Sequence, residues 1–461
     1  MTILTELGLY VQLKLESLHM IRVSRGVSRA VWPVQLIRRN SVLVGGKEYK
    51  TDEWTNVPPA IIDLVGRNLH RQPNHPIGII RSLIEKRLVP LGFTPYNEFS
   101  PIVSKYKNFD SLGFPEDHPG RSKSDTYYIN KDTLLRTHTS AHEIECFQTT
   151  KTPGYLIAAD VYRRDTIDRT HYPAFHQMEG ARTWSKTEHG DKLADAIRAD
   201  LEALPDSGIQ VEDPNLPFHA GNPKEPAHSE EVSTLLGQHL KRTIEIVMGD
   251  MFSAAKAAAI ANGSTDPDLH KPLKARWIEA YFPWTSPSWE IEIWWKGEWL
   301  EMSGMGVVRQ HVYDTAGMSD CVGWAFGIGL ERTAMILFGV PDIRLFWSKD
   351  PRFLDQFTAG KVTNFEPWSK YPSTSRDVAF WCPEQDVHEN DVMEIVRSRG
   401  GDLVENVSLV DEFVHPKTNR KSQCYRITYQ SMERSLTNDE VNAIQTSVVH
   451  DLTSQLGIEV R

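Results

Sequence analysis

Two short segments in the middle of the chain decide how its fold and chemistry are interpreted: residues 162–165, Tyr-Arg-Arg-Asp, and residues 175–180, Phe-His-Gln-Met-Glu-Gly. An arginine offers a planar fork that matches phosphate oxygens, and an aromatic ring can stack on a flat base. A glutamine with a glutamate can accept hydrogen bonds from a cationic amine. These side chains in this order indicate a site where an amino acid meets a nucleotide.

Patterns of apolar residues around these segments predict both strands and helices. Residues 127–185 have the composition of short strands separated by turns, whereas residues 58–88 and 232–261 have helical spacing. A second run of strands follows, and its last two strands are joined by a Lys296-Gly297 hairpin turn. Its predicted strands are residues 277–281, 289–295 and 298–302.

Composition limits the class of protein. A chain of 461 residues with 40% hydrophobic residues can bury a large core and is expected to form two or three domains. The net charge of -10 argues against a uniformly basic nucleic-acid binder, so any RNA contact must come from local patches. The four cysteines are far apart, which argues against a zinc site or a redox dithiol. No apolar run approaches the roughly 18 residues of a membrane span, so no membrane partner is expected.

Residues 1–50 differ from the rest of the chain. Between Glu16 and Glu48 there is no acidic residue, whereas five arginines are interleaved with apolar residues and serine. This composition is typical of a mitochondrial targeting leader, so residues 1–50 are interpreted as a leader and N-terminal extension, and the mitochondrial matrix is the expected location. A start at Met20 would give a cleaner leader. The alternative is a basic amphipathic helix docked on the body of the protein.

A glycine-rich segment, residues 323–332, leads into an apolar helix predicted at residues 333–338. Gly327 and Gly329 let the backbone pass close to a ligand, and Arg332 projects from the start of the helix. The segment lacks the third glycine of a dinucleotide-binding fingerprint, and the chain has no Walker lysine. The two common nucleotide cradles are therefore excluded.

Five segments match a known family in order and spacing. They are residues 135–140, 160–165, 175–179, 281–283 and 326–332. With them the chain resembles, from about Val57 to its C-terminus, the class II aminoacyl-tRNA synthetases, and among these the single-chain mitochondrial phenylalanyl-tRNA synthetases. The resemblance implies an α+β fold in which helices flank an antiparallel sheet. It also implies ATP-dependent attachment of phenylalanine to tRNA(Phe) through a phenylalanyl-adenylate, with Mg²⁺ as cofactor.

The domain organisation that follows has a catalytic domain at residues 51–347, a linker at 348–367 and a ferredoxin-like, split βαβ domain at 368–461. Residues 188–231, rich in proline and poor in large apolar residues, are expected to form a surface insertion. The last domain resembles the anticodon-binding domain of the family. Its predicted strands are residues 376–381, 403–413 and 423–429, and its predicted helices are 390–399 and 438–456. In its basic loop, Lys417, Arg420 and Lys421 are the predicted tRNA contacts.

The chemistry of activation singles out Arg163. The carboxylate of a free amino acid is already ionised, so the reaction needs alignment with ATP and stabilisation of charge rather than a general base. The fork of Arg163 can hold two oxygens of the α-phosphate. The alternative is a surface salt bridge with Asp160 or Asp165.

The remaining ATP contacts are implied by the resemblance. Phe175 and Arg332 resemble the pair that sandwiches adenine, so Arg163 and Arg332 are the predicted catalytic residues. Glu301 and Glu290 are candidate carboxylates for Mg²⁺ beside the phosphates.

Gln177 and Glu179 alternate on a predicted strand, so they face the same side and suit an α-ammonium group. His138 and Ser140 have the same spacing and resemble family residues around the polar end of the substrate. For transfer to tRNA the family implies the 2′-hydroxyl as acceptor. His171 or His176 is a candidate base, and the substrate phosphate is an equal one.

The side-chain pocket implied by the resemblance consists of Phe282, Trp284 and Ala325, two aromatic rings with a small residue at the base. Here the chain departs from the family, which commonly has Phe-Pro-Phe where this chain has Phe-Pro-Trp at residues 282–284. Either the pocket wall is displaced to admit the larger indole, or Trp284 lines the entrance and its N–H finds a polar partner.

Two further functions stay open beside a working ligase, which the resemblance implies to be a monomer. One is a synthetase-like RNA-binding or regulatory protein that has lost the chemistry. The other is an adenylating enzyme with a different acceptor. The presence of Arg163, Phe175, Gln177, Glu179 and Arg332 favours the ligase.

Overall fold

The computed structural model describes residues 40–367, 371–383 and 387–461. Residues 1–39, most of the predicted leader, lie outside the described residues, so targeting stays a prediction. The end of the predicted N-terminal extension forms a hairpin of two strands, β1 (Ser41–Val44) and β2 (Lys47–Lys50). Val44 in this hairpin is fully buried in the main core.

The larger part of the protein, residues 51–367, forms eleven further strands and eleven helices, interspersed along the chain. Its strands are β3 (Phe93–Tyr96), β4 (Ile102–Ser104), β5 (Tyr128–Asn130), β6 (Thr133–Leu135), β7 (Gly154–Tyr162), β8 (Ala174–Ser185), β9 (Gln210–Glu212), β10 (Lys274–Phe282), β11 (Thr285–Trp295), β12 (Glu298–Val308) and β13 (Cys321–Gly329). Its helices are α1 (Pro59–Ile62), α2 (Pro76–Leu88), α3 (Lys105–Asn108), α4 (Glu143–Thr149), α5 (Lys186–His189), α6 (Leu193–Ala203), α7 (Glu230–Ala261), α8 (Gln310–Thr315), α9 (Leu330–Phe338), α10 (Arg344–Trp347) and α11 (Pro351–Leu354).

One eight-stranded sheet, in the order β3-β7-β8-β13-β12-β11-β10-β9, organises this part. Neighbouring strands from β7 through β10 in this order are antiparallel. The two edge strands, β3 and β9, pair in parallel with their neighbours. The predicted α+β class, an antiparallel sheet flanked by helices, is confirmed.

Alternation along the central strands divides this sheet into two faces. Met178 and Phe326 are buried on the face covered by α2, α7 and α9. Ala181 is buried on the other face, in a smaller core with residues of α4 and α8. Because side chains alternate along a strand, Gln177 and Glu179 share this second face with Ala181, and the predicted site lies there.

Three local predictions need correction. The helical pattern of residues 58–88 is broken into α1 and α2, because the backbone turns into the left-handed region at Gly66 (φ 87°) and Asn68 (φ 49°). Pro76 then begins α2 at a position where a helix tolerates proline. Helix α4 interrupts the predicted run of strands at residues 127–185, and β7 and β8 are longer than the short strands expected. The predicted surface insertion contains α6, whose Ile197 is fully buried, and β9, which extends the main sheet.

The C-terminal domain has the predicted order of elements. Its strands are β14 (Thr374–Trp381), β15 (Val404–Val414), β16 (Lys421–Tyr429) and β17 (Glu459–Val460), and its helices are α12 (Glu389–Gly400) and α13 (Asn438–Leu456). The sheet order β15-β16-β14-β17 is that of a split βαβ unit. A separate core that includes Phe380, Val392 and Leu452 holds the domain together. The predicted ferredoxin-like fold is confirmed. None of the helices in the described ranges is long and apolar enough to cross a membrane.

The C-terminal domain packs directly against the segment that follows Arg163. The guanidinium of Arg397 donates to the carboxylate of Glu394 at 2.7 Å and to the backbone oxygen of Asp165 at 2.6 Å. The hydroxyl of Tyr127 donates to the same carboxylate at 2.8 Å. This buried cluster fixes the second domain beside the predicted phosphate site.

Candidate active site

A cleft of about 590 Å³ opens on the second face of the main sheet. The predicted site residues that line it are Arg163, His138, Ser140, Gln177, Glu179, Phe282, Trp284 and Ala325. The predicted site residues outside its lining are Phe175, Arg332, Glu301 and Glu290. A Cβ atom at Gly327 or Gly329 would point into open space, so these glycines leave the floor of the cleft free for a ligand.

The direction of the β8 side chains is fixed by a contact on its far face. One carboxylate oxygen of Glu331 accepts the backbone N–H of His176 at 2.6 Å, and the other lies 2.7 Å from Nδ1 of the same residue. Both side chains are buried. Helix α9 is thereby tied to β8 at the residue between Phe175 and Gln177, which orients these two neighbours.

Arg163 follows the last residue of β7 and is positioned by two contacts. Its Nε atom donates to the backbone oxygen of Thr137 at 2.8 Å, and its guanidinium carbon lies 5.2 Å from the centre of the Phe175 ring. Burial lowers the pKa of Arg163, yet a guanidinium stays charged at neutral pH. The alternative salt bridge with Asp160 or Asp165 is not formed among the described residues. Arg163 is therefore a cation in the cleft that forms no ion pair with a carboxylate of the described residues.

Arg332 and the two predicted metal residues, Glu301 and Glu290, lie close to one another. Arg332 is exposed, and its Nε atom donates to the backbone oxygen of Glu301 at 3.0 Å. Burial and the charge of Glu301 raise the pKa of Glu290. Two carboxylates that disfavour each other's charge suit a divalent cation. No cluster of three or more potential metal-ligating side chains occurs in the part of the chain that the structure describes, so Mg²⁺ here would need substrate phosphates as further ligands.

The amino-acid end of the cleft is organised around Glu179. One of its carboxylate oxygens accepts hydrogen bonds from Ser140 at 2.6 Å and Thr139 at 3.0 Å. The backbone N–H of Thr139 donates to the side-chain oxygen of Gln177 at 3.3 Å. Burial raises the pKa of Glu179 to about 7, although the two hydroxyl hydrogen bonds oppose this shift. The pair predicted to hold an ammonium group is thus preorganised by one short turn.

Aromatic side chains form one wall of the cleft. The rings of His138 and Phe114 are stacked with centroids 5.5 Å apart, and Trp284 lies 5.4 Å from Phe114 and 6.2 Å from Phe282. A Cβ atom at Gly304 would lie 2.5 Å from the Phe282 ring, so this glycine is what permits the position of the ring.

Trp284, for which the sequence left a displaced pocket wall and a position at the entrance as alternatives, belongs to this wall. Its indole lies within the aromatic wall and packs against the smaller core that includes Ala325. The indole is partly exposed and lines the cleft, so its position does not decide between the two alternatives. Next to it, burial and the charge of Arg163 lower the pKa of His138 to about 3, so this ring is neutral. The wall is therefore apolar and uncharged beside the position for a substrate side chain.

Several cleft residues were not identified from the sequence. Glu143 on the first turn of α4 is buried and lines the cleft. Its spacing from Ser140 follows the capping-box pattern, which predicts an exposed side chain at the N-terminus of a helix rather than a ligand-binding residue. Phe114 comes from a loop without periodicity, and Asn390 comes from the C-terminal domain. Only the tertiary fold brings these residues to the cleft.

The predicted tRNA contacts lie at the β15–β16 turn of the C-terminal domain. Lys417 is exposed there. Arg420 forms an ion pair with Glu459 at 2.6 Å, and Lys421 one with Glu412 at 3.1 Å. An RNA phosphate would have to exchange with these carboxylates at two of the predicted contacts.

Known protein families and relatives match most of the chain. The family model "tRNA synthetases class II core domain (F)" matches residues 61–199 and 242–357, and "Ferredoxin-fold anticodon binding domain" matches residues 369–461. A mitochondrial phenylalanine–tRNA ligase of Saccharomyces cerevisiae is 52% identical over 91% of this chain and 95% of its own length. The chain belongs to the class II phenylalanine–tRNA ligases. The family predicted from the sequence is confirmed.

Other phenylalanine–tRNA ligases match a comparable share of the chain at lower identity. A mitochondrial enzyme of Mus musculus is 41% identical, with 90% of this chain and 88% of the relative covered. A chloroplastic/mitochondrial enzyme of Arabidopsis thaliana is 38% identical, with 92% and 86% covered. The matched core leaves out residues 200–241, which overlap the predicted insertion at residues 188–231 only in part.

Proposed function

We propose that this chain attaches phenylalanine to tRNA(Phe) in the mitochondrial matrix, through an enzyme-bound phenylalanyl-adenylate, and that it acts as a monomer. The observation that carries the proposal is one cleft in which Arg163 lies with Gln177 and Glu179. It combines a cation for a phosphate with an anionic site for an ammonium group. The names of the relatives and the anticodon-binding fold point to the same activity.

In the first step the carboxylate of phenylalanine attacks the α-phosphorus of ATP, and pyrophosphate leaves. Gln177 and Glu179 hold the ammonium group, which directs the carboxylate toward Arg163. Arg163 stabilises the negative charge that develops on the α-phosphate. Phe175 and Arg332 hold the adenine ring.

Mg²⁺, bound by Glu301 and Glu290, would neutralise charge on the phosphates. The raised pKa of Glu290 beside a second carboxylate supports this assignment.

In the second step a hydroxyl of the terminal adenosine of tRNA attacks the activated carbonyl, and AMP leaves. Two histidines considered as bases are unsuited to take the proton. His176 is fully buried on the far face of β8. A hydrogen bond with Asp168 at 2.7 Å raises the pKa of His171, which favours its protonated form. The adenylate phosphate is therefore the better acceptor for the proton.

Phenylalanine-dependent ATP–pyrophosphate exchange followed by charging of mitochondrial tRNA(Phe) tests the proposal. Both activities are expected. Exchange without charging would indicate an adenylating enzyme with another acceptor. Binding of tRNA without either activity would favour the RNA-binding alternative.

Replacing Ala325 by valine is expected to fill the base of the pocket. Overpacking by extra methyl groups costs about 1–3 kcal/mol, which corresponds to a rise in the KM for phenylalanine of roughly fivefold to a hundredfold. The KM for ATP, measured in the same exchange assay, should stay unchanged. An equal rise for both substrates would show a general disturbance of the cleft instead.

Removing the basic side chains of the β15–β16 turn is expected to weaken tRNA binding alone. A Lys417→Ala/Arg420→Ala variant should raise the KM for tRNA(Phe) and reduce the salt dependence of binding by roughly one unit of slope per lost phosphate contact. Pyrophosphate exchange needs no tRNA and should be unaffected. Lys192→Ala, at an exposed lysine of the catalytic part, is the matched control. Unchanged charging kinetics in the double variant would contradict the predicted tRNA contact.

A further inference from the structure

A second buried carboxylate lies near Glu179 in the amino-acid part of the cleft. Glu143 is 1% exposed and lines the same cleft. Its Oε2 atom has no hydrogen-bond partner in the described structure, and neither does the Oε1 atom of Glu179. The second oxygen of Glu179 is already bonded to Ser140 and Thr139. Each carboxylate therefore has one buried oxygen that lacks a partner.

Among the residues that the structure describes, the groups that face Glu143 come from several elements and supply no positive charge. They are Glu179 on β8, Tyr155 on β7, Tyr313 on α8 and Cys146 on α4. The hydroxyls of both tyrosines are also buried without a partner in the described ranges. Arg163, the cation of the cleft, forms an ion pair with neither carboxylate.

Two ionised carboxylates are not stable when buried together without a counter-charge, because no opposite charge offsets their desolvation and their mutual repulsion. The same situation in other proteins leaves one carboxyl group protonated. Burial and the charge of Glu179 raise the pKa of Glu143 well above its usual value. Glu179 has two hydroxyl donors that favour its ionised form, whereas Glu143 has none.

We propose that Glu143 is a protonated positioning residue, which leaves Glu179 as the single anion that receives the ammonium group of the amino acid. This inference rests on the proposed function. Before the amino acid binds, burial raises the pKa of Glu179 to about 7, so this group is partly protonated at neutral pH. The incoming ammonium group then stabilises its carboxylate. The amino acid keeps its own proton, and the fraction of a proton lost from Glu179 goes to solvent. Binding then places one positive charge against one negative charge.

Calorimetric titration of the full chain with phenylalanine at about pH 7 tests whether Glu143 is neutral and Glu179 is the anion that binds the ammonium group. Titration in two buffers with different ionisation enthalpies gives the number of protons released. The wild-type protein is expected to release a fraction of a proton. A Glu143→Gln variant, in which a neutral amide replaces a neutral acid, should release a similar fraction and keep its affinity within about threefold.

Two further variants and one ligand sharpen the test. Glu179→Gln should release no proton and lose affinity by about a hundredfold, because the ammonium loses its anion. Glu143→Leu, which cannot form a hydrogen bond, should lose affinity by about tenfold or more. The probe 3-phenylpropanoate lacks the ammonium group and should release no proton from the wild-type protein.

Loss of affinity in Glu143→Gln equal to that in Glu179→Gln would overturn the inference, since it would make Glu143 an ionised ligand. Wild-type affinity in Glu143→Leu would also overturn it, because Glu143 would then have no role in positioning. Binding of phenylalanine without proton release would refute only this inference. A wild-type protein that binds no phenylalanine would instead refute the proposed function. Glu143→Gln keeps the shape of the side chain, so the test stands even where Glu143→Leu does not fold.

Discussion

An Arg163→Ala variant is expected to lose about 10²–10³-fold in kcat for phenylalanine-dependent pyrophosphate exchange, or about 3–4 kcal/mol of transition-state stabilisation. The reason is the position of the side chain. Its Nε atom is held by the backbone oxygen of Thr137, which leaves the outer N–H groups of the fork for the α-phosphate. These groups act on charge that is larger in the transition state than in bound ATP. Steady-state exchange at saturating ATP and phenylalanine measures the effect.

Arg163→Lys separates charge from geometry. Lysine keeps the positive charge but loses the planar fork, so this variant is expected to stay impaired by at least tenfold. Arg198, a partly exposed arginine in ion pairs on α6, provides the control, and Arg198→Ala should leave kcat unchanged. The KM for phenylalanine should change little in any of these variants, because Glu179 and Gln177 hold the ammonium group. Retention of wild-type kcat within about threefold in Arg163→Ala would rule out the assigned role.

Much of this site follows from local sequence because its parts sit on one strand and the turn before it. Gln177 and Glu179 share a face by the twofold alternation of a strand, and the structure places both in the cleft with Arg163. The same reasoning could not find Glu143, because its local pattern is that of a helix cap. Asn390 belongs to another domain, so its position depends on how the domains pack. Contacts between residues that are distant in the chain cannot be predicted from the local spacing of apolar residues.

The role of Arg136 also could not be inferred from local sequence, although this residue lies in a segment that matches the family. Residues 135–140 carry part of the family resemblance, but a charged residue in such a segment suggests a ligand contact. In the structure Arg136 is fully buried and bonded to protein. Its guanidinium donates to the carboxylate of Asp160 at 2.5 Å and to the backbone oxygen of the same residue at 2.6 Å. Its role is to hold β7 against the segment that contains Thr137, on which Arg163 rests.

Arg136→Met is expected to lower the free energy of unfolding by about 3–5 kcal/mol, because it leaves the carboxylate of Asp160 buried without its charge partner. The hydroxyl of Tyr162, which donates to Asp160 at 2.5 Å, remains but carries no charge. Unfolding by urea at about pH 7, followed by tryptophan fluorescence, measures the loss. An Arg136→Met/Asp160→Asn variant is the control and should be less destabilised than Arg136→Met, because the buried charge is gone from both sides.

The pH dependence of the same loss gives a second test with a definite sign. Burial alone would raise the pKa of Asp160, but the charges of Arg136 and neighbouring groups outweigh burial and lower it. In the wild-type protein this carboxylate therefore adds stability above the pKa of an unfolded aspartate, and the contribution is lost as pH falls through the lower folded pKa. In Arg136→Met, burial without the arginine raises the pKa of Asp160 in the folded state above that in the unfolded state. Protonation of Asp160 as pH falls then removes the cost of its buried charge. The difference in unfolding free energy between the two proteins should shrink from about pH 7 to about pH 4. A difference that is constant over this range would mean that the lost stability comes from packing of the arginine stem rather than from the buried charge of Asp160.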